Sequence, residues 1–147
     1  MIQSGNQQLA DVQQTGTNTA LVTQNQSGTP SNTPAYMNNA VVLQNGAGNN
    51  ATILQDELGG GGKGGNDAEI TQLGSGNTSS QTTYAPGSNA GQDVEAYQNG
   101  TNNNVTQNIQ GGYTDYFYTK QLGTSNTATQ TGTGVTYNTA KIFQDGT

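Results

Sequence analysis

The chain of 147 residues contains no cysteine, no histidine and no tryptophan. Without cysteine there can be neither a disulfide framework nor a thiolate metal site. Without histidine, the commonest general base and metal ligand is missing. No convergent acid and base pair replaces it, so we expect neither an enzyme nor a bound cofactor.

Positive charge is also scarce, because three lysines face nine acidic residues and the formal net charge is −6. The basic patch that would mark a nucleic-acid-binding protein is therefore absent. No apolar run approaches the roughly 20 residues that a transmembrane helix needs. We accordingly expect no nucleic-acid partner and no membrane-embedded segment.

Hydrophobic residues make up only 29% of the chain and charged residues 8%. The first value argues against an oily globular core, and the second does not fit the usual disordered chain, which combines low hydrophobicity with high net charge. Asn, Gln, Thr, Ser and Gly take their place. Such polar tracts are either disordered or prone to β-aggregation through ladders of stacked amides.

One two-strand motif recurs along the chain. Its clearest copy runs from Ala40 to Gln55, where alternate residues are small, apolar or Gln on both sides of a Gly-Ala-Gly-Asn bend. Alternation with period two predicts strands with one inward face. The first strand ends in Gln-x-Gly and the second begins with Asn. Copies lie near 10–24, 40–55, 68–83, 94–109, 117–132 and 140–146, with a truncated copy at 1–5.

Repeats of this size with two strands each predict an all-β, cross-β solenoid that forms a single domain over 1–147. Each strand should pair with its equivalents above and below, and not with its partner in the same repeat. Pro and Gly clusters predict loops at 25–39, 56–67 and 82–92.

Equivalent residues in such a stack lie about 4.7–4.9 Å apart. Like charges would repel at that distance, whereas Asn and Gln can bond to their own copies. The sequence therefore predicts buried structural ladders. Their proposed members are Gln14, Gly16, Asn18, Ala20, Gln44, Gly46, Asn49, Ala51, Gln55, Gln72, Gly74, Asn77, Gln98, Gly100, Asn103, Gln121, Gly123, Asn126, Ala128, Gln144 and Gly146.

Neither end of the repeat array carries an atypical capping repeat. An open end leaves unpaired backbone groups that can template another chain. Two complementary open ends make a heterologous contact, which extends into a filament. The sequence thus predicts a head-to-tail homopolymer of identical subunits.

The motif resembles that of the curlin family, the subunits of bacterial curli fibres, whose repeat is Gln-x-Gly-x-x-Asn-x-Ala-x-x-x-Gln. Gln44, Gly46, Asn49, Ala51 and Gln55 match it in full. The resemblance implies an extracellular amyloid fibre at the cell surface that serves biofilm matrix and adhesion. It also implies a nucleator and secretion machinery of the curli type as partners.

Several alternatives stay open. Asp67, Glu69, Asp93 and Glu95 hold equivalent registers and could together bind Ca²⁺, or form a solvated acidic face that limits lateral aggregation. The aromatic cluster of Tyr113, Tyr116, Phe117 and Tyr118 could pack filaments laterally.

For the whole chain, the rivals are a disordered matrix segment and a soluble binding solenoid such as an ice-binding protein. Thr15, Thr17, Thr19, Thr127, Thr129, Thr131 and Thr133 suggest the latter, although we expect the neighbourhoods of Asn77 and Asn103 to lack the threonines that a continuous array would need.

Overall fold

The computed structural model describes residues 1–5, 8–27, 37–58, 65–85, 91–111, 114–134 and 137–146. Within these ranges the chain forms strands joined by short bends, and no helix is long and apolar enough to cross a membrane. The strands are β1 (Ile2–Ser4), β2 (Gln8–Thr15), β3 (Thr19–Ser27), β4 (Asn38–Ala47), β5 (Asn50–Leu58), β6 (Asp67–Ser75), β7 (Thr78–Ala85), β8 (Asp93–Thr101), β9 (Asn104–Gln110), β10 (Tyr116–Thr124), β11 (Thr127–Thr133) and β12 (Thr139–Gly146).

The twelve strands form two parallel six-stranded sheets. The odd sheet has the order β1-β3-β5-β7-β9-β11, and the even sheet has the order β12-β10-β8-β6-β4-β2. The chain alternates between the sheets, so each inner strand pairs with the strand two places earlier and the strand two places later, and each edge strand pairs with one of them. This confirms the predicted β-solenoid and the prediction that the strands of one motif do not pair with each other.

The even sheet keeps one register from end to end. Gln44 is opposite Gln14 and Gln72, and Gly46 is opposite Gly74. This alignment follows from the repeated Ala-x-Val-x-Gln-x-Gly pattern, because a slip of one residue would turn the small and apolar side chains out to solvent.

The assignment of residues 1–5 as a truncated first strand of the motif is wrong. β1 pairs with β3 in the odd sheet, and Gln3 is opposite Gln24. The physical reason is the alternation of the chain between sheets. Because β2 lies in the even sheet, the strand before it lies in the odd sheet, whatever short motif it contains.

The predicted loops begin too early in the sequence. β3 continues to Ser27, β5 to Leu58 and β7 to Ala85, because each of these strands keeps its parallel pairing beyond the repeat motif. Residues 28–36, 59–64 and 86–90, which are the central parts of those loops, lie outside the described residues.

The core is a narrow layer between the two sheets. Its apolar members are small or β-branched, such as Ala40, Val42, Ile53 and Ile70, all fully buried. Buried glutamines fill much of the remaining space, so the core is polar enough to need internal hydrogen bonds.

Candidate functional site

The structure brings the six predicted glutamines of the even sheet together in one column. Nε2 of each residue donates to Oε1 of the next along the stack, with N···O distances of 2.5, 2.7, 2.8, 3.0 and 2.7 Å. The members are Gln14, Gln44, Gln72, Gln98, Gln121 and Gln144. All five bonds point the same way, so the ladder has a direction.

From Gln44 onward, each ladder amide also donates an N–H to the opposite sheet. Gln44 donates to the carbonyl of Thr19 at 3.0 Å, Gln72 to that of Asn50 at 3.1 Å and Gln98 to that of Thr78 at 2.9 Å. A buried amide left without partners would cost about 1–3 kcal/mol. The column therefore satisfies its own polar groups and also ties the two sheets together.

A second column occupies the bend between the two strands of each motif and contains Asn18, Asn49, Asn77, Asn103 and Asn126. Oδ1 of each residue accepts both the backbone N–H and the side-chain N–H of the next one, at 3.0–3.1 Å. In the middle of the stack the Asn amide also donates to the carbonyl of a neighbouring glycine, as Asn77 does to Gly100 at 3.0 Å. The Asn column therefore fixes the bend.

Glycine is required beside this bend. Gly74 has a φ of +106° and Gly100 a φ of +134°, a region that side chains with a Cβ rarely adopt. A Cβ on Gly74 would also overlap the carbonyl oxygen of Gly100. The equivalent contacts recur in the column of Gly16, Gly46, Gly74, Gly100 and Gly123, while Gly146 lies at its open end. The three predicted alanines Ala20, Ala51 and Ala128 face the core.

The odd sheet contains two shorter glutamine ladders, which are out of register with each other. Gln3, Gln24 and Gln55 form one, and Gln81, Gln107 and Gln130 form the other. Gln55 is opposite Thr83, while Gln81 is opposite Ile53. The spacing from Asn to Gln, six residues in early repeats and four in later ones, causes this break.

Sequence reasoning missed one polar column, at the start of the even strands or just before them. Asn66 N donates to Oδ1 of Asn38 at 3.0 Å, and Asn138 N donates to Oδ1 of Asp115 at 2.9 Å. Gln92 lies between Asn66 and Asp115. The sequence feature that marks this column is a polar residue two positions before the first inward residue of each copy of the motif. Most of these positions fall in the predicted loops.

The two ends of the solenoid expose strand edges. β1 and β2 form one end, and β11 and β12 form the other. Val12 and Ile142 occupy the same inward position as the fully buried Val42 and Ile70, yet both are only partly buried because nothing covers them. Among the described residues, Oε1 of Gln14 accepts no bond and Gln144 donates only to Thr127.

The four candidate carboxylates lie on the outer face of the even sheet. Asp67 is directly opposite Asp93, and Glu69 is opposite Glu95. They line a groove of about 300 Å³ together with Asn39, Val41 and Ala68. In the described part of the chain, no group of three or more acidic residues is placed to hold a metal ion. Burial, and then the charges of Asp67, Glu95 and Glu69, raise the pKa of Asp93 to about 6.

The aromatic cluster is divided between the core and the surface. Phe117 is buried, whereas Tyr116 and Tyr118 lie on the outer face of the even sheet. Tyr113 lies outside the described residues.

Threonines line the outer face of the odd sheet. Those of β11 are Thr127, Thr129, Thr131 and Thr133, and Thr19 is on β3. Thr15 and Thr17 lie outside this sheet, at the end of β2 and in the following bend. Thr78, Thr82 and Thr106 lie on the same face. Asn104 and Asn108 are nevertheless opposite Thr127 and Thr131, and Ser80 is opposite Thr106, so no threonine register is continuous through these rungs, as expected.

No family model, no curated protein and no solved structure matches this chain.

Proposed function

We propose that the protein is the structural subunit of an extracellular functional amyloid fibre of the curlin type, which self-assembles for biofilm matrix and surface adhesion. The observation that carries this proposal is the complementarity of the two exposed ends of the solenoid. The resemblance of the repeat to curlin motifs supports the location at the cell surface. It also supports a nucleator and a curli-type secretion machinery as partners.

The exposed edges of the even sheet have the same residue pattern in the same register. When β2 of one copy is placed on β12 of another with Gln14 over Gln144, Ala10 lies over Ala140 and Val12 over Ile142. Each of these pairs repeats a pairing that already exists inside the molecule. The even sheet would therefore continue across the junction without a change of register.

The odd sheet can continue in the same step. β1 of the incoming copy lies beside β11, and in the register of the sheet Gln3 lies over Gly132. The odd sheet therefore continues through its backbone pairing, without extending the glutamine ladder that ends at Gln130. β12 of one copy and β1 of the next together complete one two-strand rung. The core residues of the two ends become buried by the same contact.

The direction of the glutamine ladder selects head-to-tail assembly. The β12 end offers the unused N–H of Gln144, and the β2 end offers the unused Oε1 of Gln14. Two β12 ends would bring donors together, and two β2 ends would bring acceptors together. A heterologous contact between unlike ends does not close, so it extends into a filament.

A charge buried at the junction tests this proposal. Ile142→Lys places an ammonium group where Val12 of the next copy would cover it, and an unpaired buried charge is strongly unfavourable. We expect no filaments in electron micrographs of this variant. Thr129→Lys, on the outer face of the adjacent edge strand, is the matched control and should assemble normally.

The same variant has an intact β2 end, so it can add to a wild-type β12 end and block it. A small fraction of Ile142→Lys mixed with wild-type protein should therefore shorten the filaments. Filament growth by Ile142→Lys at the wild-type rate would contradict the proposed junction.

The threonine face favours a second candidate function, that of an ice-binding solenoid. Thr106 is directly opposite Thr129, and in the described residues the outer face of the odd sheet carries a single charged side chain, Asp56. Such a face repeats at about 4.8 Å across strands and 6.6 Å along them. Thermal hysteresis by a protein that remains monomeric in light scattering would favour this function over the fibre.

A further inference from the structure

Charge is segregated on the outer face of the even sheet. β2, β6 and β8 contribute five acidic residues, and the strands of this half, β2, β4, β6 and β8, contribute no lysine. The acidic residues are Asp11, Asp67, Glu69, Asp93 and Glu95. β10 and β12 contribute both lysines of the described chain, Lys120 and Lys141, together with Asp145. One half of the face is therefore acidic and the other half mainly basic.

The basic half is also aromatic. Lys120 lies 5.5 Å from the ring centre of Tyr97, and Lys141 lies 5.4 Å from that of Tyr116. Phe143 packs on Tyr118 with ring centres 5.4 Å apart, yet it remains 65% exposed. Rings hold these ammonium groups in place through cation–π contacts, so their side chains are already partly ordered.

The acidic half carries like charges at the spacing of adjacent strands. The carboxylates of Asp67 and Asp93 repel each other, as do those of Glu69 and Glu95. Burial, and after it the charges of these neighbouring carboxylates, raise the pKa of Asp93. Tyr116 lies beside the patch and donates its hydroxyl to Glu95 at 3.2 Å, but it brings no positive charge.

We propose that two copies pack these faces together in antiparallel orientation, so that β10 and β12 of each copy lie opposite β8 and β6 of the other. This places Lys120 and Lys141 of one copy over the acidic residues of its partner, twice. The proposal rests on the proposed fibre, because it pairs two neighbouring filaments. The contact uses the same patch on both copies, so it is isologous and closes as a pair.

Charge decides the orientation. A parallel pairing with β8 opposite β8 and β10 opposite β10 would bring acidic residues against acidic residues and lysines against lysines. The antiparallel pairing replaces both repulsions by attractions. Four strands of eight or nine residues cover about 500 Å² of each copy. The total of about 1,000 Å² is at the lower limit for a specific interface, and repetition along a filament multiplies it.

Mass per length, measured by scanning transmission electron microscopy, tests the proposal. We expect wild-type filaments to have twice the mass per length of the double variant Lys120→Gln with Lys141→Gln. The control is the double variant Thr106→Glu with Thr129→Glu, which reaches the same net charge through the odd sheet and should keep the wild-type value. The variant Lys120→Glu with Lys141→Glu makes the basic half acidic, and adding Asp67→Lys, Glu69→Lys, Asp93→Lys and Glu95→Lys makes β6 and β8 basic. This combination reverses both halves and should restore pairing.

The outcomes separate this proposal from the proposed fibre. The absence of any filament overturns the proposed fibre, and pairing is then measured by sedimentation. A wild-type dimer that becomes a monomer in the Lys→Gln variant supports the interface. A wild-type monomer refutes it. Filaments with equal mass per length in wild type and Lys→Gln variant overturn the pairing alone. Pairing that requires added Ca²⁺ also overturns it, because the cation and not the lysines would then neutralise the acidic residues. Since exposed charges are screened by salt, 1 M NaCl should separate the paired filaments without dissolving them.

Discussion

Gln72 is the ladder residue at which a single substitution should cost most. It is fully buried, accepts from Gln44 at 2.7 Å, and donates to Gln98 at 2.8 Å and to the carbonyl of Asn50 at 3.1 Å. Gln72→Glu keeps the shape of the side chain but removes both N–H donors. The oxygens of Gln98 and Asn50 that faced them would then lie close to a carboxylate oxygen.

The loss can be estimated from these contacts. Two buried acceptors without a donor cost about 1–3 kcal/mol each, and an unpaired buried carboxylate adds several kcal/mol. We expect Gln72→Glu to lower the free energy of unfolding by about 5 kcal/mol or more at pH 7. That is a large share of the roughly 5–15 kcal/mol that holds a typical domain folded.

The measurement is urea unfolding followed by circular dichroism, at protein concentrations where light scattering detects no filaments. Burial raises the pKa of a carboxyl, and a raised pKa in the folded state means that stability falls as pH rises. The loss should therefore shrink at pH 4, where the protonated Glu regains one donor. Gln110→Glu, at an exposed position of β9, is the control and should change stability by less than about 0.5 kcal/mol. Equal stability of the two variants at pH 7 would refute the ladder as a source of stability.

Three further predictions concern other positions. Gly74→Ala should abolish the folded state or lower the midpoint of thermal unfolding sharply, because φ is +106° and the new Cβ overlaps Gly100; a normal dichroism melt would contradict this. Asp115→Asn should raise stability by about 1–3 kcal/mol in urea, since Oδ2 of buried Asp115 and Oε1 of Gln92 have no partner among the described residues and an amide N–H can serve the latter. Asp93, with a pKa of about 6 against 3.8, should make the fold less stable as pH rises from 4 to 7. Asp93→Asn should flatten that dependence in melts recorded across this range.

The even sheet was predictable from the sequence because local pattern and global register agree there. Ala, Val or Ile, Gln and Gly recur at fixed offsets, so the only pairing that buries every small residue also stacks every Gln on another Gln. The Asn at each bend added a second constraint at the same spacing. The amide columns of Gln44 and Asn49 follow from these two facts alone.

The odd sheet was less predictable because its copies of the motif use two different spacings between Asn and Gln. The spacing between Asn and Gln changes from six to four residues, which is visible in the sequence. That this change divides the glutamines into two ladders is seen only in the structure, where Gln55 is opposite Thr83. Residues 1–5 contain Gln-x-Gly, yet three strand residues carry too little alternation to distinguish the two sheets. Phe117 opens the copy of the motif at 117–132, which predicts an inward side chain, whereas its place in the aromatic cluster does not separate it from Tyr116 and Tyr118 on the outer face.

The axial rise per subunit in the fibre tests the central claim most directly. Each sheet of one copy holds six strands, so head-to-tail stacking adds about 28–29 Å per subunit, with an inter-strand repeat of about 4.7–4.9 Å. Electron cryomicroscopy of helical filaments measures both values. A rise near 28–29 Å would support the solenoid polymer. A rise equal to one inter-strand spacing, with every chain flattened into a single layer, would contradict it.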